Sequence, residues 1–206
     1  MSFLSAFLYD KCMISAEEAC LKEWRQGLLK QVHGHVLEIG AGTGANIEFY
    51  PESVIRLVLS EPDESMRRLL EVKIGNSALK DVTVSSASAE NIEANEESFD
   101  FVVASFVCCS VTNLEAVLNQ IHRVLKPGGS LVFLEHVAAD KGSKRRRWQN
   151  RMNPFWRKLA GNCHLNREIE KSMVSAGFEI SEIKRESMRK AMPLVRPTIR
   201  GVAVKG

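Results

Sequence analysis

The sequence predicts a doubly wound α/β fold, in which helices cover both faces of a mostly parallel sheet. Short apolar segments alternate with segments whose apolar residues recur at helical spacing, an order typical of that class. A run of small residues, G-A-G-T-G at 40–44, follows the first apolar segment, as turns at the ligand edge of such sheets do. The last two apolar segments lack room for a crossover helix, so one of them should be an antiparallel strand.

Seven segments have the composition of buried or half-buried strands. Segment 99–106 is nearly all apolar, as in a strand that is covered on both faces. The Lys-Pro-Gly-Gly of 126–129 predicts a turn just before the fifth strand. The seven predicted strands are 35–39, 56–60, 82–86, 99–106, 130–137, 178–186 and 198–204.

Local signals mark the predicted helices between these strands. Ser15, with Glu18 three residues later, forms a capping-box pattern at the start of the first helix. Pro154 should interrupt the basic stretch 141–160 and leave two short helices. Gly177 should end the helix over 166–176 in a left-handed conformation. Two further helices are expected, after Pro62 and over 113–125.

The composition is that of an ordinary globular protein. The 206 residues predict a single domain, 1–206, with an N-terminal helical cover over 1–30 and a basic aromatic insertion over 138–165 on the substrate side. The five cysteines are odd in number and show no C-x-x-C spacing, which argues against disulfides and a structural zinc site. We therefore expect a cytoplasmic protein without signal peptide, transmembrane segment or metal.

The glycine turn fits two cofactor fingerprints. Read as G-x-G-x-x-G/A, with Gly40, Gly42 and Ala45, it fits a nicotinamide dinucleotide. The same turn read as E-x-G-x-G-x-G, from Glu38 to Gly44, fits S-adenosylmethionine (SAM). In both cases an acid at the end of the second strand accepts the ribose hydroxyls, and Glu61 holds that position. The glycine pattern alone leaves both cofactors open.

Features outside the turn favour SAM. Glu38 lies inside a predicted strand, and burial of its carboxylate is costly unless donors such as an ammonium group meet it. Ser88 and the backbone amide of Ala89 follow the third strand, where they can bond to adenine. The segment S-F-D-F-V-V-A-S at 98–105 and the turn K-P-G-G at 126–129 follow in order.

This ordered set, E-I-G-A-G-T-G, S-E-P-D, S-A-E, S-F-D-F-V-V-A and L-K-P-G-G, resembles the class I SAM-dependent methyltransferases over residues 35–136. The resemblance implies a Rossmann-like seven-stranded sheet with the last strand antiparallel. Many family members carry Asp where Ser88 stands. Tyr9 could close over the methionine carboxylate of SAM, or could be a packed surface tyrosine. The other cofactor-binding residues that the resemblance implies are Glu38, Gly40, Gly42, Gly44, Glu61, Pro62, Asp63, Met66, Ser88, Ala89, Ser105 and Phe106.

Four segments are similar to the methyltransferase-like protein seven family: S-F-V-C-C-S-V at 105–111, F-L-E-H-V-A-A at 133–139, G-N-C-H-L-N-R-E at 161–168 and L-V-R-P-T-I-R-G-V-A-V-K at 194–205. This similarity implies transfer of a methyl group to a small thiol. Animal members carry a long apolar N-terminal anchor, which we do not expect here. Phospholipid or other small-amine N-methylation is an alternative, and a SAM-binding protein without turnover is another.

The acceptor side of the site offers several candidates. His136 could deprotonate or orient the acceptor, or could be a hydrogen-bonded structural histidine. Cys108 and Cys109 lie near the expected acceptor, although cysteine is commonly a small buried apolar residue. Trp148 and His164 complete the predicted substrate set. The basic aromatic stretch 141–159 is predicted to cover the substrate, with a peripheral membrane contact second and nucleic acid disfavoured.

Overall fold

A computed structural model of the chain describes residues 13–77 and 79–206. Its sheet has seven strands in the order β3-β2-β1-β4-β5-β7-β6. Strand β7 is antiparallel to both β5 and β6, and the pairings among β1 to β5 are all parallel, so the predicted topology is confirmed. The strands are β1 (Gly34–Ile39), β2 (Val54–Ser60), β3 (Val82–Ser85), β4 (Phe99–Ser105), β5 (Leu125–His136), β6 (Phe178–Ser187) and β7 (Pro197–Lys205).

Helices surround this sheet. Residues 13–29 are helical throughout and include a π-helical turn, Glu17–Leu21, before α1 (Lys22–Leu29). Ser15 lies inside these helical residues, so the predicted capping box does not start the helix. A 3-10 turn, Ile47–Phe49, follows the glycine turn. The remaining helices are α2 (Glu64–Gly75), α3 (Leu114–Val124), α4 (Lys144–Leu159) and α5 (Ile169–Ser175).

Two apolar cores lie on opposite faces of the sheet. On one face, α3 and α5 bury residues such as Leu118 and Met173 against β4 and β5. On the other face, residues 16–32 and α2 bury Trp24, Leu29 and Leu70 against β1 and β2. Helices therefore cover both faces, as the sequence predicts. Gly177 has φ of 91° directly after α5, which confirms the predicted left-handed helix end.

The connection between β3 and β4 departs from strict alternation because residues 86–98 contain no helix. Only Ala89 and Ile92 of this region are buried, and such sparse apolar residues do not make a helical face. A cavity of about 640 Å³ opens along the sheet beside this segment, with His35, Thr83 and Ile92 in its walls. It reaches Ala87, next to the predicted adenine segment, but does not include the glycine turn.

Two local predictions were wrong. The Pro-Gly-Gly segment is not a separate turn, because β5 begins at Leu125 and includes these residues. They form a bulge in the pairing of β5 with β4. Gly128, with φ of 72°, makes that bulge possible. Pro154 does not split the basic helix, and α4 is continuous from Lys144 to Leu159. The carbonyl that loses its partner to Pro154 belongs to Asn150, an exposed residue, so water can take the missing hydrogen bond.

Strands β1, β4 and β5 end at one edge of the sheet, because Ile39 pairs with Ala104 and Ser105 pairs with Leu134 in parallel register. The glycine turn (40–44), the cysteine segment (107–111) and His136 therefore share this edge, where ligands bind in such folds. Within the described ranges, no helix has both the length and the apolar content needed to cross a membrane.

Candidate active site

The backbone of the glycine turn allows a ligand to approach it closely. Gly40, Gly42 and Gly44 have φ of 57°, 57° and 81°, values that disfavour any side chain. A Cβ on Gly40 would lie 2.5 Å from Val107, and one on Gly44 would lie 2.6 Å from Ile47. A Cβ on Gly42 would meet no atom of the described residues within 4 Å, so this part of the chain leaves open space in front of the middle of the turn. This opening fits a ligand that lies directly on the backbone.

Glu61 links the glycine turn to the start of α2. Its carboxylate accepts hydrogen bonds from the backbone N–H of Gly42 at 2.8 Å and of Asp63 at 2.9 Å. Burial raises the pKa of Glu61, although these N–H donors act in the opposite direction. Each carboxylate oxygen has further acceptor capacity, so both remain suited to ribose hydroxyls.

Glu38 is fully inside the protein and is satisfied by two side chains. Tyr50 donates to one oxygen at 2.6 Å, and Asn46 donates to the other at 2.8 Å. Burial raises the pKa of Glu38 to about 7, and both hydrogen bonds limit the rise. A cationic group of a ligand beside this carboxylate would favour its ionised form.

Arg25 extends this arrangement to the N-terminal helix. Its guanidinium donates to Asn46 at 2.7 Å and to Glu17 at 2.9 Å, while the Asn46 amide also donates to Ser105 at 3.1 Å. Sequence reasoning did not identify Arg25, Asn46 or Tyr50. The signal available for Asn46 was its polar side chain just after a glycine turn, and its 1% exposure explains why it needs partners on both sides.

The predicted adenosine side consists of residues at the ends of β2 and β3. Asp63 caps α2 by accepting hydrogen bonds from Ser65 and Met66, a structural role in addition to the predicted contact. Met66 is buried and Pro62 is exposed. Ser88 and Ala89 lie in the loop after β3, and Ala89 is buried. Tyr9 lies outside the described residues.

The end of β4 carries unusual backbone geometry. Phe106 has φ of 58°, a conformation that costs free energy in a residue with a large side chain. Its N–H donates to the carbonyl of Leu134 at 2.8 Å, which holds the strand end against β5. Ser105 and Phe106 therefore lie at the sheet edge beside the glycine turn, at the predicted position.

Glu135 organises the cysteine segment that follows. Its carboxylate accepts hydrogen bonds from the N–H groups of Val107, Cys108 and Cys109, at 2.9, 2.8 and 3.2 Å. Burial raises the pKa of Glu135 to about 7 against these donors. Arg167, in the loop just before α5, supports the same segment by donating to the carbonyls of Cys108 and Val111. The segment is thereby fixed in one conformation.

His136 lies beside two cysteines. Its Nε2 is 2.7 Å from Sγ of Cys163, and both atoms lie within 4.8 Å of Sγ of Cys109. The pKa of Cys163 is lowered mainly by its hydrogen bond with Cys109 and, to a smaller extent, by its hydrogen bond with His136. The hydrogen bond between the two cysteines raises the pKa of Cys109. Nδ1 of His136 is buried and has no hydrogen-bond partner among the described residues. Sequence reasoning did not assign Cys163 to this group, because 27 residues separate it from His136.

The other predicted substrate residues lie at different depths. His164 adjoins the group, since its N–H donates to the carbonyl of Cys109 at 2.7 Å, and burial lowers its pKa to about 4. Cys108 is fully buried. Trp148 lies on α4 with 57% of its surface exposed, in a shallow depression with Arg147 and Arg151. The structure therefore does not bring Trp148 to the buried residues around His136.

Comparison with known proteins identifies the family. A model described as a methyltransferase domain matches residues 15–183. The chain is 37% identical to thiol S-methyltransferase TMT1A of Homo sapiens over 172 residues, which cover 82% of this chain and 70% of that protein. It is 34% identical to thiol S-methyltransferase TMT1B of Mus musculus, over 100% of this chain and 84% of that protein. The chain belongs to the thiol S-methyltransferase family.

Solved structures support the fold of this family member. The [4+2]-cyclase SpnF superposes with a TM-score of 0.73 at 18% identity, over 90% of this chain and 79% of that one. A SAM-dependent methyltransferase of Thermotoga maritima superposes with a TM-score of 0.67 at 23% identity, over 96% and 94% of the two chains. The protein is a SAM-dependent methyltransferase with a Rossmann-like sheet, so the dinucleotide interpretation of the glycine turn was wrong.

The described residues fit SAM. Gly42 faces open space, Glu61 retains acceptor capacity, and Glu38 supplies a buried carboxylate near the turn. The open space lets SAM approach the backbone closely, the Glu61 carboxylate can accept hydrogen bonds from its ribose, and the Glu38 carboxylate can face its ammonium group. The contact of each of these residues with SAM is a prediction from the sequence.

Proposed function

We propose that this methyltransferase acts on small thiols. The observation that carries the proposal is the similarity to thiol S-methyltransferases across 82% of the chain, which includes His136 and the cysteine segment at the acceptor edge. Bound SAM supplies the methyl group and leaves as S-adenosylhomocysteine (SAH). A thiolate needs little more than alignment with the methyl carbon, because sulfur is intrinsically nucleophilic.

Different residues of the chain bind the methyl donor and activate the acceptor. The glycine turn, Glu38 and Glu61 bind the donor at the ends of β1 and β2. His136, at the end of β5, is the group that we assign to bringing the acceptor into its thiolate form. Burial of the surrounding segment excludes water from the acceptor, which strengthens electrostatic interactions there.

The proposal is tested by SAH formation with a panel of small thiols and with the matched alcohols. We expect turnover with thiols and none with alcohols of the same shape, because only the sulfur is readily ionised and nucleophilic. Absence of SAH with every thiol, in protein that binds SAM, would contradict the proposal.

A second candidate, methylation of a lipid amine, is favoured by the surface of α4. Trp148, Phe155 and Leu159 are 57%, 65% and 86% exposed, and they lie among basic residues. Exposed apolar side chains with interleaved positive charge are typical of helices that lie on anionic membranes. A partial match to phosphatidylethanolamine N-methyltransferase of Cereibacter sphaeroides, at 34% identity over 53% of this chain and 54% of that protein, adds support.

Vesicles separate these two functions. We expect the protein to bind anionic vesicles through α4 and to release SAH only when a thiol is added. Trp148→Ser combined with Phe155→Ser should abolish vesicle binding and leave thiol turnover in solution unchanged. SAH formation with phosphatidylethanolamine vesicles alone would favour lipid methylation. We place the protein in the cytoplasm, at a membrane surface for part of the time.

A further inference from the structure

Three side chains of types that can bind a metal ion come from distant parts of the chain and meet at the sheet edge where the acceptor is expected. Cys109 follows β4, His136 ends β5, and Cys163 follows α4. One sulfur, one imidazole nitrogen and a second sulfur all lie within 4.8 Å of one another, close enough to reach one ion after a small movement. Two cysteine sulfurs and one histidine nitrogen form a donor set that suits Zn²⁺.

We propose that Cys109, His136 and Cys163 bind a Zn²⁺ ion whose fourth coordination position receives the acceptor thiol. This inference rests on the proposed thiol activity, and it makes His136 bring the acceptor into its thiolate form as a ligand of the ion rather than as a base. Three protein ligands with one open position are the arrangement of catalytic zinc sites, whereas structural sites use four. The sequence alone argued against zinc because the cysteines are odd in number and show no C-x-x-C spacing, and it does not show that residues 27 positions apart meet in the fold.

The geometry requires only a small adjustment. In a tetrahedral site with Zn–S of about 2.3 Å and Zn–N of about 2.0 Å, neighbouring ligand atoms lie about 3.5 to 3.8 Å apart. The contact of 2.7 Å between His136 and Cys163 must therefore open by about 1 Å. Cys163 is only partly buried and lies in the loop after α4, so a shift of its side chain does not require a change in a helix or strand.

The surroundings hold the ligands in place. Glu135 holds the backbone of Cys109 by accepting hydrogen bonds from its N–H and from the N–H groups of the two preceding residues. The hydrogen bond from the N–H of His164 to the carbonyl of Cys109 joins the two cysteine segments. Such outer contacts are typical supports of metal sites. Two thiolates would also balance the charge of Zn²⁺, which removes the cost of burying either alone.

Zinc would make the acceptor reactive at neutral pH. A thiol that coordinates the ion releases its proton to solvent and remains as a thiolate. A lone pair of that sulfur forms the new bond to the methyl carbon, and the electron pair of the broken bond stays on the sulfur of SAH. The thioether product carries no charge and is a weaker ligand, so it leaves the ion.

Metal binding itself is the first test, in protein freed of metal by a chelator and kept reduced. We expect one Zn²⁺ per chain by competition with a chromogenic chelator. Cys163→Ser should weaken binding by about 100-fold or more, since even outer-shell substitutions commonly cost 10- to 100-fold. Cys20→Ser is the matched control, because Cys20 is a buried cysteine on the other face of the sheet. Equal affinity in the wild type and Cys163→Ser would overturn the proposal.

Two further readouts separate ligand loss from misfolding. Calorimetric SAM affinity should change less than about threefold in both variants, because the ligands lie outside the glycine turn. In the wild type, Zn²⁺ should protect Cys163, which is only partly buried, from alkylation, as read by mass spectrometry of its peptide. Equal alkylation with and without Zn²⁺ would overturn the site without any substitution.

Cobalt distinguishes this proposal from the thiol activity. The Co²⁺ form should show thiolate-to-metal charge-transfer absorption, halved in Cys163→Ser and altered when a small thiol is added. Tight metal binding without any thiol methylation would disprove the proposed activity and leave the metal site standing. Full thiol methylation by zinc-free protein would overturn the proposed role of the ion.

Discussion

The hydroxyl of Tyr50 donates a hydrogen bond of 2.6 Å to the carboxylate of Glu38 in the interior of the protein. The two residues lie on either side of the glycine turn, one at its approach from β1 and the other just beyond the 3-10 turn. Because the turn lies between them, this bond ties its two ends together behind the predicted SAM site.

Loss of this bond should destabilise the protein. Tyr50→Phe keeps the ring but leaves one oxygen of a buried carboxylate without its donor. We expect the free energy of unfolding to fall by about 1 to 3 kcal/mol, the usual cost of an unsatisfied buried group. Chemical denaturation measures the change, and a double-mutant cycle with Glu38→Gln assigns it to the pair. A change below about 0.5 kcal/mol would show that the bond contributes little.

Glu38 should also make stability depend on pH. Its pKa is about 7 in the folded protein and close to 4.5 in the unfolded chain, so folding takes up a proton between these values. The contribution of Glu38 to the free energy of unfolding is therefore fully present below pH 4.5. It is lost as the pH rises through 7, and the loss amounts to up to about 3 kcal/mol.

Comparison of the wild type with Glu38→Gln isolates this component in urea titrations over that pH range. The variant cannot ionise at this position, so the free energy of unfolding of the wild type minus that of the variant should fall as the pH rises from 4.5 to 8. A difference that does not change with pH would contradict the raised pKa.

Glu61 should be needed for SAM binding. Glu61→Ala removes the predicted ribose acceptor and the hydrogen bonds to Gly42 and Asp63. We expect SAM affinity by calorimetry to fall at least tenfold, about the value of one charged hydrogen bond. Glu64→Ala is the control, because Glu64 is an exposed residue of the adjoining helix. Unchanged affinity in Glu61→Ala would mean that the ribose lies elsewhere.

The sequence predicted the strands and the site edge well because their signals are local. Apolar runs located all seven strands, and the glycine turn located the ligand edge. The continuous α4 was missed because the cost of Pro154 depends on solvent at Asn150, which a pattern cannot show. The Arg25–Asn46–Glu38 network and the meeting of Cys109, His136 and Cys163 were missed because they depend on contacts between distant segments.

Gly42→Val should abolish detectable SAM binding. The added side chain would project from a left-handed backbone into the open space in front of the turn. Gly128→Val is a matched control, because Gly128 also has positive φ and open space but lies in the bulge at the start of β5. Both variants should lose similar stability in thermal unfolding, whereas only Gly42→Val should lose SAM in calorimetry. Retained affinity in Gly42→Val would refute the placement of the ligand.

His136→Ala should separate turnover from donor binding. We expect kcat with a small thiol to fall by about 100-fold or more, the usual contribution of a group that moves or stabilises a proton. SAM affinity should change less than threefold, since the glycine turn is untouched. His122→Ala, on α3 beside Phe178, serves as the control and should keep full turnover. Equal kcat in His136→Ala and the wild type would make His136 a structural residue.

The most direct test of thiol methylation uses cysteamine, which carries a thiol and an amine in one small molecule. The purified protein is incubated with cysteamine and SAM bearing a labelled methyl group, and the methylated atom is identified by NMR. We predict label on sulfur alone, with one SAH formed per product. Label on nitrogen would contradict the account and assign the enzyme to amines.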